Sequence, residues 1–155
     1  MTDDGRRHEE LPEPEWPVRE SATEYETGWY TGGYDLLEQP RPTIRETQLE
    51  LPAGIVEAGE SFTTAAAREL REETGFEAGS TALLEDFWCS TGVLRHRRGI
   101  VFATDLEPVE RDLDENEFLS VHSVPVAEAL DVARSSSMND ATLEGVLLAR
   151  EEGLL

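Results

Sequence analysis

The segment from residue 50 to residue 76 carries a fixed spacing of glycine, glutamate and arginine that constrains this chain more than any other feature. Gly54 is followed after five residues by Glu60, and after seven more by the run Arg-Glu-Leu-Arg-Glu-Glu-Thr-Gly-Phe at residues 68–76. A chain with 34 Asp and Glu among 155 residues produces Arg-Glu pairs by chance. Seven fixed identities and two apolar positions in register are too specific for that explanation.

The second half of this segment predicts a helix with defined ends. Ser61 is a suitable N-cap, because its hydroxyl can accept a hydrogen bond from an unpaired amide of the first turn. Residues 65–73 are alanine, leucine, arginine and glutamate, which favour helices. Gly75 can adopt the left-handed conformation that ends a helix. An apolar stripe that includes Phe62 and Leu70 would pack on a sheet.

Three glutamates of this helix are candidate ligands for a cation. Glu69 lies three residues from Glu72 and four from Glu73, so on a helix the three carboxylates share one face. Such carboxylates repel one another unless a cation lies between them. An arginine side chain is the structural explanation, and Mg²⁺ or Mn²⁺ is the functional one, since both metals prefer oxygen ligands. The turn-rich approach at residues 51–59 brings backbone close to the helix and favours the metal.

The whole pattern resembles the Nudix box, Gly-x5-Glu-x7-Arg-Glu-U-x-Glu-Glu-x-Gly-U with U apolar, and no position departs from it. The resemblance implies the Nudix fold, an α+β structure in which helices cover both faces of a mixed β-sheet (an α/β/α sandwich). It also implies hydrolysis of the diphosphate bond of a nucleoside diphosphate linked to another group, with Mg²⁺ or Mn²⁺ as cofactor. Glu60 and Arg68 would be a supporting catalytic pair. The expected metal ligands are Glu69, Glu72, Glu73, which also counts as catalytic, and the carbonyl of Ala53.

The approach to the box, residues 38–50, resembles that of ADP-ribose pyrophosphatases, where a Gln-Tyr-Arg-Pro-like segment precedes Glu-Leu-Pro-Ala-Gly. This implies ADP-ribose or an ADP-sugar as substrate, giving AMP and a sugar phosphate. Arg41 would contact phosphate, because its planar fork donates two hydrogen bonds at once. Glu50 and Gly54 would line the same substrate site. An exposed arginine is also ordinary, so both interpretations of Arg41 stay open.

The acidic segment from Asp112 to Phe118 has two interpretations. Acidic loops are usually solvated surface. The resemblance implies a mobile loop that supplies a glutamate as general base, for which Glu115 matches best and Glu117 is the second choice. Thr91 departs from the subgroup, which typically has proline there. Two other functions therefore stay open: a Nudix hydrolase for another nucleotide, and a module that binds nucleotides without turnover.

Composition narrows the partners and the compartment. The formal net charge is −21, and all 13 basic residues are arginine. Such a charge argues against nucleic acid as a partner. An acidic chain without lysine resembles proteins of salt-loving archaea, whose cytoplasm screens the repulsion. The single Cys89 suits a reducing cytosol. The sequence has neither a membrane span nor a signal-peptide pattern, so we expect a cytoplasmic protein.

The N-terminal part is the hardest to interpret. Residues 1–15 are charged and broken by proline, and they predict a disordered arm ahead of a single domain at residues 16–155. The mixture of aromatic residues and glycines at residues 16–38 suits short strands joined by tight turns. In the resembling subgroup this region contributes to a homodimer interface. That subgroup also has a long apolar strand ahead of the box, and no such run lies between Tyr34 and Arg41. We therefore expect an incomplete N-terminal sheet, with residues 16–45 packed irregularly and the adenosine pocket incomplete.

The remainder of the chain predicts further strands and helices. The predicted strands are 82–88, 99–106 and 118–124, and the predicted helices are 126–134 and 141–152.

Overall fold

The computed structural model describes residues 22–26, 29–30, 33–112, 119–135 and 138–155. The predicted arm at residues 1–15 lies outside these ranges. The strands are β1 (Ala22–Glu26), β2 (Trp29–Tyr30), β3 (Gly33–Arg41), β4 (Glu46–Glu50), β5 (Ala53–Ile55), β6 (Phe76–Cys89), β7 (His96–Pro108) and β8 (Ser120–Pro125). The helices are α1 (Phe62–Glu69), continued by a π-turn at Leu70–Thr74, then α2 (Ala129–Ala133) after a 3-10 turn at Val126–Glu128, and α3 (Asp140–Glu151).

The strands form two sheets. The first has the order β5-β1-β7-β6, in which β1 runs parallel to β7 and antiparallel to β5, and β6 runs antiparallel to β7. This is the mixed sheet that the sequence predicted. In the second sheet β3 pairs with β4 along one edge and with β8 along the other, and β2 pairs with the start of β3.

Helices cover both faces of the first sheet, as strand β7 shows. Successive side chains of a strand point to opposite faces. On one face the Phe62 ring of α1 lies over Gly99. On the other face Ile100 contacts Gly145 of α3. The buried cluster on the α1 side is Ala65, Ala66 and Val101. The cluster formed with α2 and α3 is Leu36, Leu51, Ala129, Ala133, Val146 and Ala149. The predicted α/β/α sandwich is confirmed.

The helix of the box begins and ends where the sequence predicts, but its last turn differs. Ser61 caps α1 by accepting a hydrogen bond from the Thr64 amide (3.1 Å), and Gly75 is left-handed at φ 77°. Between them the α-helix changes to a π-turn at Leu70–Thr74, whereas a continuous α-helix was expected. The hydroxyl of Thr74 donates to the Leu70 carbonyl inside this turn. The extra residue of a π-turn changes where the last two glutamates point.

The expected lack of a strand between Tyr34 and Arg41 is wrong. Strand β3 spans this stretch, and its Leu36 and Leu37 are buried. The place between β5 and β7 is taken by β1, whose sequence Ala-Thr-Glu-Tyr-Glu has no apolar run. Backbone groups make the ladder hydrogen bonds, so a strand with partners on both edges forms without a Val, Ile and Leu run. The strands described between residues 22 and 45 pair in regular ladders, in place of the irregular arrangement expected for residues 16–45.

The later elements match their predictions closely. The predicted strands 82–88 and 99–106 lie within β6 and β7, and β8 begins at Ser120. The predicted helix 126–134 is a 3-10 turn followed by α2, and α3 begins one residue before its prediction. Across the residues described here, no helix has the length and apolar character needed to cross a membrane.

Candidate active site

The candidate site forms where strand β5 meets helix α1. Gly54 lies so close to this helix that a Cβ on it would overlap the Glu69 carboxylate. Only glycine allows the strand backbone and that carboxylate to approach in this way. The first fixed position of the sequence pattern is therefore explained by contact with one of its glutamates.

Arg68 lies between three of the box glutamates. Its Nε and Nη2 donate to the two carboxylate oxygens of Glu60 at 3.2 and 3.1 Å, and Nη2 also donates to the Ile55 carbonyl at 3.0 Å. Its Nη1 donates to Glu69 Oε1 at 2.8 Å and to Glu72 Oε2 at 3.1 Å. The predicted pairing of Glu60 with Arg68 is thus present, and Arg68 reaches two further carboxylates.

Glu73 is buried and bonded to strand β5. Its side chain is only 3 % exposed, and its Oε2 accepts a hydrogen bond from the Ala53 amide at 3.0 Å. This bond ties the π-turn to strand β5. Ala53 was expected to act through its carbonyl, and the contact seen here uses its amide. A buried carboxylate bonded to backbone is costly to remove, because its partner would be left unsatisfied.

The three expected metal ligands have different hydrogen-bond partners. Glu69 and Glu72 both accept from Arg68, while Glu73 accepts from β5. Within the described ranges no group of three His, Cys, Asp or Glu side chains is gathered closely enough to hold a metal ion. The arrangement still fits a cation, since the donors are carboxylate oxygens and the Arg68 guanidinium already stands between two of them. Arg68 is an arginine partner of this kind for Glu69 and Glu72.

A cleft of about 600 Å³ opens beside this network. Its lining residues are Ala53, Gly54, Ile55, Glu57, Arg68, Glu69, Glu72 and Asp112. The Asp112 amide donates to the Glu72 carbonyl at 3.3 Å, which holds the chain after β7 against the end of the box helix. Asp112 was not among the predicted site residues. Its position at the start of the segment expected to supply the base was the available signal.

Arg41 and Glu50 lie in a second cleft of about 470 Å³, which shares β5 with the first. Arg41 Nε donates to Glu50 Oε1 at 2.7 Å, and its Nη2 pairs with Glu50 Oε2. Glu50 is buried, while 41 % of the Arg41 side chain is exposed. The structure therefore brings the expected substrate residues Arg41, Glu50 and Gly54 together along the β5 edge. Gln48 and Asn139 also line this cleft, and no sequence signal had singled them out.

The expected general base is not among the described residues. Glu115 and Glu117 both fall in residues 113–118, outside the described ranges. The described chain stops at Asp112 and resumes at Leu119. Arg111 connects these two points, because its Nη1 and Nη2 both donate to the Leu119 carbonyl at 3.2 Å.

Arg68 and Glu60 hold each other in their charged forms. The hydrogen bond from Arg68 holds the pKa of Glu60 below its ordinary value, and the Glu57 amide acts in the same direction. The same bond raises the pKa of Arg68. Hydrogen bonds to the charged form favour that form. Glu60 is therefore ionised and Arg68 protonated throughout the neutral range.

Comparison with known proteins gives consistent matches. Residues 32–143 match the model of the NUDIX domain. The ADP-ribose pyrophosphatase of Bacillus subtilis (strain 168) is 35% identical over 108 residues, which are 68% of this chain and 58% of that protein. The ADP compounds hydrolase NudE of Escherichia coli (strain K12) is 32% identical over 105 residues, 67% of this chain and 56% of that protein. The chain thus spans less than two thirds of the length of these curated relatives.

A solved structure described as an ADP compounds hydrolase matches the fold with a TM-score of 0.76. It is 27% identical in sequence, and the match covers 86% of this chain and 74% of that one. The match extends well beyond the box segment.

Proposed function

Because the chain belongs to the NUDIX family, we propose that it is a cation-dependent hydrolase of a nucleoside diphosphate linked to another group, with ADP-ribose or an ADP-sugar as substrate. Hydrolysis adds a water oxygen to one phosphorus and breaks its bond to the bridging oxygen, giving AMP and a sugar phosphate. The names of the two curated relatives and of the solved structure support this substrate class.

One observation carries the proposal: the cleft lined by Glu69 and Glu72, here called the acidic cleft, and the cleft lined by Arg41, here called the Arg41 cleft, share strand β5. Both are lined by Ala53, Gly54 and Ile55. A molecule with an anionic diphosphate and a polar sugar needs a cation-binding region next to a region with hydrogen-bonding groups. The two adjoining clefts supply these properties along one short strand.

The cation would be Mg²⁺ or Mn²⁺, held by Glu69, Glu72 and Glu73 with the Ala53 carbonyl. When bound, it would withdraw charge from the phosphoryl oxygens and lower the pKa of a bound water. Carboxylate oxygens are the ligands both metals prefer. Glu60 would keep Arg68 in place, as the hydrogen bonds between these two side chains support.

The remaining roles fall to residues on either side of the cation region. Arg41 would bind the diphosphate, since Glu50 fixes the plane of its guanidinium while part of the side chain stays exposed. Glu115 would accept the proton of the attacking water, with Glu117 as the alternative. Asp112 lies in the acidic cleft at the start of that segment.

We propose in addition that residues 16–155 form one domain with residues 1–15 as an arm, and that the protein is a homodimer in the cytoplasm of a salt-loving archaeon. The net charge of −21 and the absence of lysine support the salt-rich setting. The homodimer rests on the resemblance to ADP-ribose pyrophosphatases.

The test is a product assay over a nucleotide panel. The chain is incubated with ADP-ribose, ADP-sugars, an oxidised nucleotide and a dinucleoside polyphosphate, each with Mg²⁺, with Mn²⁺ or with excess chelator. We expect AMP and sugar phosphate from ADP-ribose or an ADP-sugar when a cation is present, and none in chelator. Preferred turnover of another nucleotide would contradict the substrate. Binding without turnover of any nucleotide would contradict the enzyme and indicate a binding module.

A further inference from the structure

The guanidinium of Arg68 makes two different sets of contacts with its two edges. The edge formed by Nε and Nη2 is bonded to both oxygens of Glu60 and to the Ile55 carbonyl. Nη1 on the other edge is bonded to Glu69 and Glu72, the two carboxylates that line the acidic cleft. The first edge holds the side chain to the loop before the helix, and the second holds the proposed cation ligands.

We infer that Nη1 of Arg68 is an internal stand-in for the divalent cation, which holds Glu69 and Glu72 until a metal ion displaces it. The inference rests on the proposed function, because it takes these two glutamates as cation ligands. An arginine keeps its charge at any ordinary pH, so it cannot make room for a second cation by losing a proton. The guanidinium nitrogen and a metal ion therefore compete for the same carboxylate oxygens.

The geometry allows this displacement without release of the whole side chain. The guanidinium is planar and rigid, so Nη1 stays in place while Nε and Nη2 keep their bonds to Glu60 and Ile55. The bonds of Nη1 are lost because the Glu69 and Glu72 carboxylates turn from it to the metal ion. Two consequences follow. The protein without metal keeps its crowded carboxylates neutralised, and metal affinity is lowered by the competing arginine.

The experiment compares Arg68→Gln with the matched control Arg71→Gln. Both variants remove one positive charge from the same helical segment, and Arg71 is exposed three residues further on. Free Mn²⁺ is titrated by electron paramagnetic resonance to give the Kd, at low KCl and again in molar KCl. Melting temperature is measured in excess chelator and in saturating Mn²⁺. General electrostatic effects of the lost charge are screened in molar salt, whereas direct competition at one position persists.

We expect Arg68→Gln to bind Mn²⁺ roughly three- to tenfold more tightly than Arg71→Gln at both salt concentrations, since two partly exposed ion pairs no longer compete. In excess chelator the melting temperature of Arg68→Gln should be lower than that of Arg71→Gln. Saturating Mn²⁺ should remove most of this difference in melting temperature. A Kd for Arg68→Gln equal to or weaker than that of Arg71→Gln, while wild type binds Mn²⁺, overturns the inference and leaves the proposed function standing. Failure of wild type and both variants to bind Mn²⁺ overturns both.

If Arg68→Gln fails to fold, Arg68→Lys decides the matter. A single ammonium group cannot hold Glu60 through two bonds and also reach Glu69 and Glu72. We therefore expect Arg68→Lys to bind Mn²⁺ more tightly than wild type. Equal or weaker binding overturns the inference.

Discussion

At the scale of single residues, the box glutamates differ in what they contact, although the sequence presents them as one set. Arg68 donates hydrogen bonds to Glu60, Glu69 and Glu72. Glu73 is buried and accepts from the Ala53 amide instead. The identity and spacing of these residues were readable from the sequence. Their directions were not, because the π-turn changes the angle between successive side chains and a sequence pattern assumes a regular helix.

Glu60 should make a pH-dependent contribution to stability. Its pKa in the folded protein is lowered, first by the hydrogen bond from Arg68 and then by the one from the Glu57 amide. Because the pKa of Glu60 is lower in the folded than in the unfolded protein, ionised Glu60 stabilises the fold at pH values above the unfolded pKa, near 4.5. This stabilisation is lost as the pH falls through the folded pKa. Urea unfolding of wild type and Glu60→Gln between pH 7 and pH 3 should therefore show a difference that is largest at pH 7 and shrinks on acidification.

The exposed Glu77 provides the control for this measurement, since Glu77→Gln removes the same charge outside the network. We expect Glu77→Gln to follow wild type at every pH. A difference between wild type and Glu60→Gln that stays constant or grows as the pH falls would contradict the role given to this pair.

At the scale of elements, local signals were sufficient where the chain carries its own caps or apolar runs. Ser61 and Gly75 bound the box helix as predicted, and the apolar run 99–106 forms the central part of β7. Short strands were expected within residues 16–38, but the continuation of β3 to Arg41 was missed because it carries no long apolar run. Strand β1 forms through its pairing with β5 and β7, which are distant from it in sequence. Such pairing is not visible in the local sequence pattern of the strand.

Strand β3 should contribute a core side chain despite its short apolar run. Leu36 is fully buried and packs in the cluster with Leu51 and Val146. Leu36→Ala should lower the free energy of unfolding by about 2–5 kcal/mol, as is usual for a buried leucine. Leu83→Ala is the control, because Leu83 is 42 % exposed on β6, and its effect should be well under half as large. Urea unfolding measures both, and equal effects would show that β3 is not part of the core.

At the scale of the whole molecule, charge is the dominant property. Thirteen arginines face 34 acidic residues, so the folded chain repels itself in dilute buffer. The composition predicted this without any structure. Which carboxylates are neutralised locally could not be predicted, because ion pairs such as Arg98 with Glu144 join β7 to α3 across 46 positions of sequence.

Screening by salt should raise the stability of the whole molecule. A melting-temperature series in KCl should rise from dilute buffer to molar salt at neutral pH, by about 3 °C for each kcal/mol of repulsion removed. Near the isoelectric point of about 4.3 the net charge is close to zero, and the same series should be nearly flat. A flat or falling series at neutral pH would contradict the adaptation to high salt.

The role of the box helix in catalysis is tested most directly by the rate of AMP release from ADP-ribose in Mg²⁺ by wild type, Glu73→Gln and Glu77→Gln. Glutamine can still accept the Ala53 hydrogen bond, so Glu73→Gln should fold while it loses the charge that the proposed cation needs. We expect its rate to fall roughly a hundredfold or more, with Glu77→Gln close to wild type. Full activity of Glu73→Gln, or full activity of wild type in excess chelator, would contradict a cation-dependent hydrolase built on this helix.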